Sequence, residues 1–260
     1  MNKTLYALAA LAALTGLPTL AHAEDASPLS FNVSLTSDYR FRGISQSRLK
    51  PALQGGVDYA LPAGFYVGAW ASTIRWIKDA GKLSSPQIDT GSAPVEIDLY
   101  GGYKGEIVKD TLSYDVGLLQ YYYPSEHLSN ISGLHSPNTL EAYGALTFGP
   151  ATLKYSHSLT RLFGTDNSRG SGYIEAAATF DLGGGFSLTP HIGYQKVRHN
   201  SDFSYTDYSL AVAKDWWGFT FSAAVVGADT KDINGSPAYV SPSGKDLGRT
   251  ALVVAVKKTF

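Results

Sequence analysis

Apolar and polar residues alternate along this chain with a period of two. The run Phe31, Val33, Leu35, Ser37, Tyr39, Phe41 interleaves with Asn32, Ser34, Thr36, Asp38, Arg40, Arg42. Successive side chains of an extended strand point to opposite faces, so this is a ribbon with one apolar wall and one charged wall. A soluble sheet makes the same pattern when its apolar wall faces a core. About twelve such ribbons, with nothing else to cover them, instead predict a barrel that is greasy outside and wet inside. Beyond the N-terminus no uninterrupted apolar run reaches the ~20 residues of a membrane helix. If the chain meets a membrane it must therefore be a closed barrel, because only helices and barrels satisfy their backbone in lipid.

Strands are expected near 31–42, 51–61, 64–75, 94–104, 111–123, 138–149, 151–161, 171–182, 186–198, 203–214, 218–228 and 248–260. The links between them alternate short and long. Short ones fall at Pro62-Ala63, Gly105 to Asp110, Gly149-Pro150, Gly183 to Gly185 and Asp215 to Trp217. Long ones fall at Gly43 to Lys50, Trp76 to Ala93, Pro124 to Pro137, Leu162 to Gly170, His199 to Asp202 and Asp229 to Leu247. With both termini on one side, all short turns share that side and all long loops the other, as in outer-membrane barrels. The fold class is therefore all-β: a transmembrane, antiparallel, up-and-down β-barrel of about twelve strands.

Aromatic residues keep to levels. Phe31, Tyr59, Phe65, Tyr103, Tyr114, Phe148, Phe180, Phe186, Phe219 and Phe260 sit beside the short turns on the outward face, where an interfacial girdle belongs. Tyr39, Phe41, Tyr122 and Tyr194 are expected in the second ring. Between the rings the outward positions are small or aliphatic, among them Val57, Leu99, Val116, Leu146, Ile174, Ile192 and Val254. Their inward neighbours are Gln54, Asp58, Glu96, Asp98, Asp115, Glu141, Lys154, Glu175, Asp181, His191, Gln195 and Asp207. A dry interior cannot hold so many ionisable groups, whereas a hydrated or ion-paired lumen can. Three places fit poorly: Pro190 lacks a ladder donor, His157 falls on the lipid face, and Leu118 to Tyr123 breaks the alternation, as a bulge would.

The ends point to export. Lys3, the apolar run Leu5 to Leu17 and Ala21-His22-Ala23 before Glu24 make residues 1–23 a cleaved signal peptide and 24–260 a single barrel domain. The alternating tail to Phe260 is the kind of terminus that outer-membrane assembly machinery reads. No cysteine is present, which excludes disulfides and thiolate metal sites. Twenty-one basic residues nearly cancel 22 acidic ones, which argues against a nucleic-acid partner.

The stretches SDYRFRGISQS, PALQGGVDYALPAGFYVGAWAS, IDLYGGYKGEI, LSYDVGLLQYYYP, EAYGALTFGPATLKYSHSL, HIGYQ and YTDYSLAVAKD resemble the TorF-type porin family, also called the Gcw_chp family. The resemblance runs from Val33 to the last strand and is densest over residues 36–72. It implies a proteobacterial outer-membrane barrel with no settled substrate. The Trp216-Trp217 turn and the Asp229–Leu247 loop depart from the family pattern, so no solute specificity carries over through them.

Few residues form a catalytic pattern. His157 lies between Ser156 and Ser158, but neighbours in a strand face opposite ways and cannot pair. Glu126, His127 and His135 share a loop without metal-site spacing, and Asp229, Asp232, Asn234, Gly235 lack the EF-hand spacing. No catalytic residue, cofactor or metal is expected. The functional candidates are pore-lining charges: Asp38, Arg40 and Arg42 at the outer mouth, with Arg48 and Lys50 nearby, then Asp58, Glu96, Asp98, Asp115, Glu141, Lys154, Glu175 and Asp207. The arginines either steer anionic solutes or brace the wall against Asp58, Glu96 or Asp98. Lower in the lumen, acids outnumber bases. The expected function is passive passage of small hydrophilic solutes across the bacterial outer membrane, in contact with its lipid. A closed structural or adhesive barrel and a lipid-acting barrel enzyme are the alternatives; the residues name neither solute nor oligomeric state.

Overall fold

The computed structural model describes residues 27–260; the signal-peptide reading lies outside them. Twelve strands follow one another around one closed sheet: β1 Leu29–Thr36, β2 Ala52–Ala60, β3 Phe65–Thr73, β4 Val95–Val108, β5 Leu112–Tyr122 and β6 Thr139–Phe148. They continue with β7 Ala151–Ser158, β8 (Gly172–Ala178 and Phe180–Gly183), β9 Phe186–Lys196, β10 Tyr205–Trp216, β11 Phe219–Asp229 and β12 Ala251–Thr259. Each pairs antiparallel with its neighbours in sequence, and β12 pairs with β1 through Leu35↔Val256 to close the barrel. Following the register around the sheet returns to β1 about 16 residues out of step, a stagger that tilts the strands by roughly 45° and sets a backbone radius of roughly 12 Å.

The short connections gather at one end. Between β10 and β11, Trp216 pairs with Phe219, leaving Trp217 (φ 52) and Gly218 (φ 75) as the turn. Two left-handed residues match the right-handed twist of the flanking strands. The interruption in β8 has a covalent cause. Its register with β9 places Ala178 opposite Pro190, which has no N–H to give, so the ladder loses a bond there without slipping. Thr179 turns to its other neighbour and donates to the Pro150 carbonyl at 2.9 Å.

The outward face is apolar, as expected. Leu99 is 50% exposed and Val254 47%, whereas Glu141 and Asp207 are each 2% exposed on the inward face. A soluble monomer does not leave so continuous an apolar band in water; here the band is the lipid-facing surface. The girdle beside the short turns forms, with Phe65, Tyr103 and Tyr114 as successive touching rings, their centroids 4.8 and 5.8 Å apart. At the other end Tyr122 and Tyr194 face out, joined by Tyr155 and Tyr208. Tyr39 and Phe41 do not belong to that ring: Tyr39 is buried inside the barrel, and Phe41 packs on Tyr121 and Phe163.

The expected bulge in β5 is also absent. Its register with β4 and β6 runs unbroken through Leu118 to Tyr121, with Leu119 inward and Gln120 outward. The Gln120 amide is tolerated there because it donates to the carbonyls of Tyr121 (2.7 Å) and Thr139 (3.2 Å). Within the long β3–β4 loop a helix, α1 (Trp76–Leu83), buries Ile77 and sets Trp76 edge-on against Tyr123, capping part of the outer mouth.

Candidate functional site: a lumen crossed by an inserted segment

β1 ends at Thr36, although the alternation carries on to Arg42. Thr36 folds back on the chain: its hydroxyl donates to the Asp38 carbonyl at 3.0 Å, and the segment after it enters the barrel. Inside, Arg40–Phe41 pairs with Ile44–Ser45 around a turn at Arg42 (φ 47) and Gly43 (φ 79). The tip presses on the wall at β10 and β11. A Cβ on Gly43 would lie 2.7 Å from the Asp207 Cβ and 2.9 Å from the Gly227 carbonyl, so both the backbone angle and the space require glycine.

Asp38, Arg40 and Arg42 therefore occupy a plug, not the top of a strand. Arg40 is its root clamp. The guanidinium donates to Asp38 at 2.5 Å and to the carbonyls of Gly43, Leu247 and Arg249 at 2.9, 3.0 and 3.1 Å. Asp38 in turn accepts from the hydroxyls of Ser45 and Ser47. Arg42 is the far anchor. It grips Glu141 of β6 through both nitrogens, at 3.1 and 2.7 Å, donates to Gln195 of β9 at 2.6 Å, and lies 4.2 Å from the Tyr173 ring centroid. Burial of that fork is sustained because the pair is bidentate and additionally hydrogen-bonded. At the rim, Arg48 is bound by Asp79 of α1, a hydrogen bond that raises its guanidinium above the ordinary range.

The expected braces to Asp58, Glu96 or Asp98 do not form, because the arginines leave the wall with the plug. Tyrosines meet two of these acids. Tyr100 donates to Asp58 at 2.5 Å, while Tyr39 and Tyr123 donate to the two oxygens of Glu96 at 2.5 and 2.7 Å. Tyr66 donates to Asp115 at 2.6 Å, Tyr173 reaches Asp207 at 3.0 Å, and Tyr121 reaches Glu141 at 3.3 Å. Glu175 is held by His191 at 3.1 Å, with Lys154 4.0 Å away. Asp181 keeps the inward parity but is exposed at the short-turn end of β8, where its carboxylate accepts the Gly183 N–H at 2.8 Å.

Sequence reasoning does not find these tyrosines, although a signal exists. Tyr66, Tyr100 and Tyr143 each sit directly opposite a glycine: Gly102, Gly68 and Gly117. Their rings lie across those glycines, and a Cβ on any of the three would fall 2.8 Å or less from the tyrosine ring carbon that bears the hydroxyl. Lys104 and Lys257 were likewise not among the expected residues. Both face the lumen near Asp58, so the inner half carries charges of both signs. Between the plug and β8 to β11 lies a cavity of about 40 Å³, lined by Arg40, Arg42, Gly43, His191 and Asp207 among others.

The alternative sites do not assemble. His157 faces outward with its ring 3.3 Å from the Tyr155 hydroxyl, while Ser156 and Ser158 are buried on the lumen side. His135 pairs with Asp166 at 3.1 Å, and Glu126 accepts the Leu128 N–H at 2.9 Å. Among the described residues no three His, Asp or Glu side chains gather as a metal set.

The match that decides kinship covers residues 21–260, against the model of a family described as "Bacterial protein of unknown function (Gcw_chp)". The chain belongs to the Gcw_chp family. No curated protein matches this Gcw_chp chain in sequence. Among solved structures, the KdgM porin superposes with a TM-score of 0.53 at 8% identity, covering 89% of this chain and 98% of its own. The NanC porin gives 0.51 at 8% identity with the same coverage. LpxR from Salmonella typhimurium aligns more loosely, at 0.43 and 10% identity over 89% of this chain and 99% of its own. At such identities, the two porin superpositions establish the fold of the Gcw_chp barrel and nothing finer.

Proposed function

We propose that this Gcw_chp barrel is a narrow porin of the bacterial outer membrane through which small hydrophilic solutes diffuse passively. Residues 1–23 direct export and are removed, the barrel domain occupies 24–260, and assembly machinery reads the Phe260 tail. One observation carries the reading: ionisable and hydroxyl groups line the inside of a closed barrel from Lys104 and Asp58 near the short turns to Glu141 and Asp207 below the loops. A barrel needed only as a structural post has no use for so many internal charges, each of which must be hydrogen-bonded to be tolerated. The names KdgM porin and NanC porin, borne by barrels of like fold, agree with it.

On this proposal Asp58, Asp115, Lys154 and Glu175 line the inner passage, while Glu96, Asp98, Glu141 and Asp207 line the constriction with Asp38, Arg40 and Arg42 of the plug. Transport uses no cofactor and no energy source; bore and wall charge set the rate. The plug also favours a second reading, a closed barrel whose loops do the binding. Liposome swelling with uncharged and charged sugars, alongside planar-bilayer recordings, separates the two. Discrete conductance and swelling support the porin, whereas a folded but silent barrel refutes it. Failure to release fatty acid from phospholipid or lipid A micelles disposes of a lipid-acting enzyme.

A further inference from the structure

On the lipid-facing side of the outer rim a cavity of about 380 Å³ opens beneath α1, lined by Arg48, Arg75, Lys78 and Lys82 together with Thr73 and Ser92. Thr73 fixes which way it faces. The residue pairs with Val95, its hydroxyl accepts the Leu53 N–H at 3.1 Å, and Leu53 stands out on the apolar outer surface. The cavity thus begins where the lipid-facing band stops.

Its charge is built by the helix. Arg75, Lys78 and Lys82 recur at spacings of three and four residues, which align them in one stripe, and like charges at that spacing repel. Among the described residues none of the three has a carboxylate within 4.0 Å. The acid of α1, Asp79, is four residues from Arg75 and three from Lys82, but it is buried and its carboxylate is already bound by Arg48. A stripe of unneutralised cations above an apolar wall, with hydroxyl donors beside it, is complementary to an anion tethered at the membrane surface. We propose that this cavity binds a phosphate group of an outer-leaflet glycolipid, the acyl chains of that lipid lying along Leu53 and Val95. The site rests on the outward orientation of the long loops proposed above, and it does not depend on whether the lumen conducts.

The test is native mass spectrometry of the detergent-solubilised barrel titrated with bisphosphorylated lipid A, with dephosphorylated lipid A, and with inorganic phosphate. Bisphosphorylated lipid A is expected to stay bound, while the triple variant Arg75→Gln, Lys78→Gln, Lys82→Gln binds it on the order of 100-fold more weakly. Dephosphorylated lipid A should bind the unaltered protein as weakly as the variant does. Equal retention by the variant, equal binding of the dephosphorylated lipid, or displacement by micromolar inorganic phosphate overturns the proposal, the last by marking a free-anion site. The gel-mobility shift of the unheated barrel and its conductance report separately on fold and pore. If the triple variant does not fold, Lys78→Gln alone should weaken binding by roughly fivefold, and no loss refutes the site.

Discussion

Replacing Arg42 by alanine should loosen the plug at its far end and leave its root in place. The side chain gives three charge-assisted hydrogen bonds, two to Glu141 and one to Gln195, and stacks its cation on Tyr173. Removing one partner of a buried ion pair costs about 3–5 kcal/mol, mostly because the other charge is stranded. Here the stranded group is Glu141, inside a wall that already holds Glu96 and Asp98. If most of that cost falls on plug closure, the population of the displaced plug rises on the order of 10²- to 10³-fold. Arg40 still holds the segment by the backbone carbonyls of Leu247 and Arg249, so the barrel itself should remain folded. Planar-bilayer recordings of Arg42→Ala should show larger or more frequent openings and a reversal potential shifted toward cations. Adding Glu141→Gln should recover part of the lost stability, because the unpaired charge is then gone. An unchanged conductance and selectivity, with a stability change under about 1 kcal/mol, would refute the assignment of Arg42 as anchor.

Other residues give independent checks. Arg40→Ala strands Asp38 and frees the carbonyls of Leu247 and Arg249, so the unfolding midpoint should drop by an amount equivalent to about 3 kcal/mol or more and the outer loops should become protease-sensitive. Gly68→Val drives a side chain into the Tyr100 ring and should destabilise the folded barrel by about 1–3 kcal/mol in urea titration, whereas Gly144→Val, whose Cβ would meet only Val116 at 3.8 Å, should not. Leu99→Arg places a cation in the lipid-facing band and should cost about 2–4 kcal/mol if it lies near the bilayer midplane.

The fold was legible because lipid on one side and water on the other impose a strict period of two, and strand ends moved by only a few residues. β1 shows where that logic stops. Asp38 to Arg42 keeps perfect alternation, yet the alternation cannot tell a strand wall from a segment folded into a lumen that accepts both kinds of side chain. For that reason the pattern alone assigns Tyr39 and Phe41 to the outer ring and Arg40 and Arg42 to acids on nearby strands. Glu141 and Gln195, the partners of Arg42, lie across the barrel, at a distance no local pattern encodes, while Arg40 is bound by Asp38 and by loop carbonyls. Leu119 made a false bulge signal because a lumen residue packed by tyrosines can be apolar. Lys104 and Lys257 had the correct parity throughout and show that the inward face was readable further than its acids.

The oily face of each ribbon looks into lipid and the ionisable face into water. Because the chain lacks cysteine, single cysteines can be placed at Leu99 and Val254 on one face and at Asp58 and Asp115 on the other. In reconstituted bilayers, nitroxide labels at Leu99 and Val254 should relax with dissolved oxygen and resist a water-soluble nickel chelate, while labels at Asp58 and Asp115 should do the opposite. Chelate access at Leu99 and Val254 equal to that at Asp58 would contradict the account.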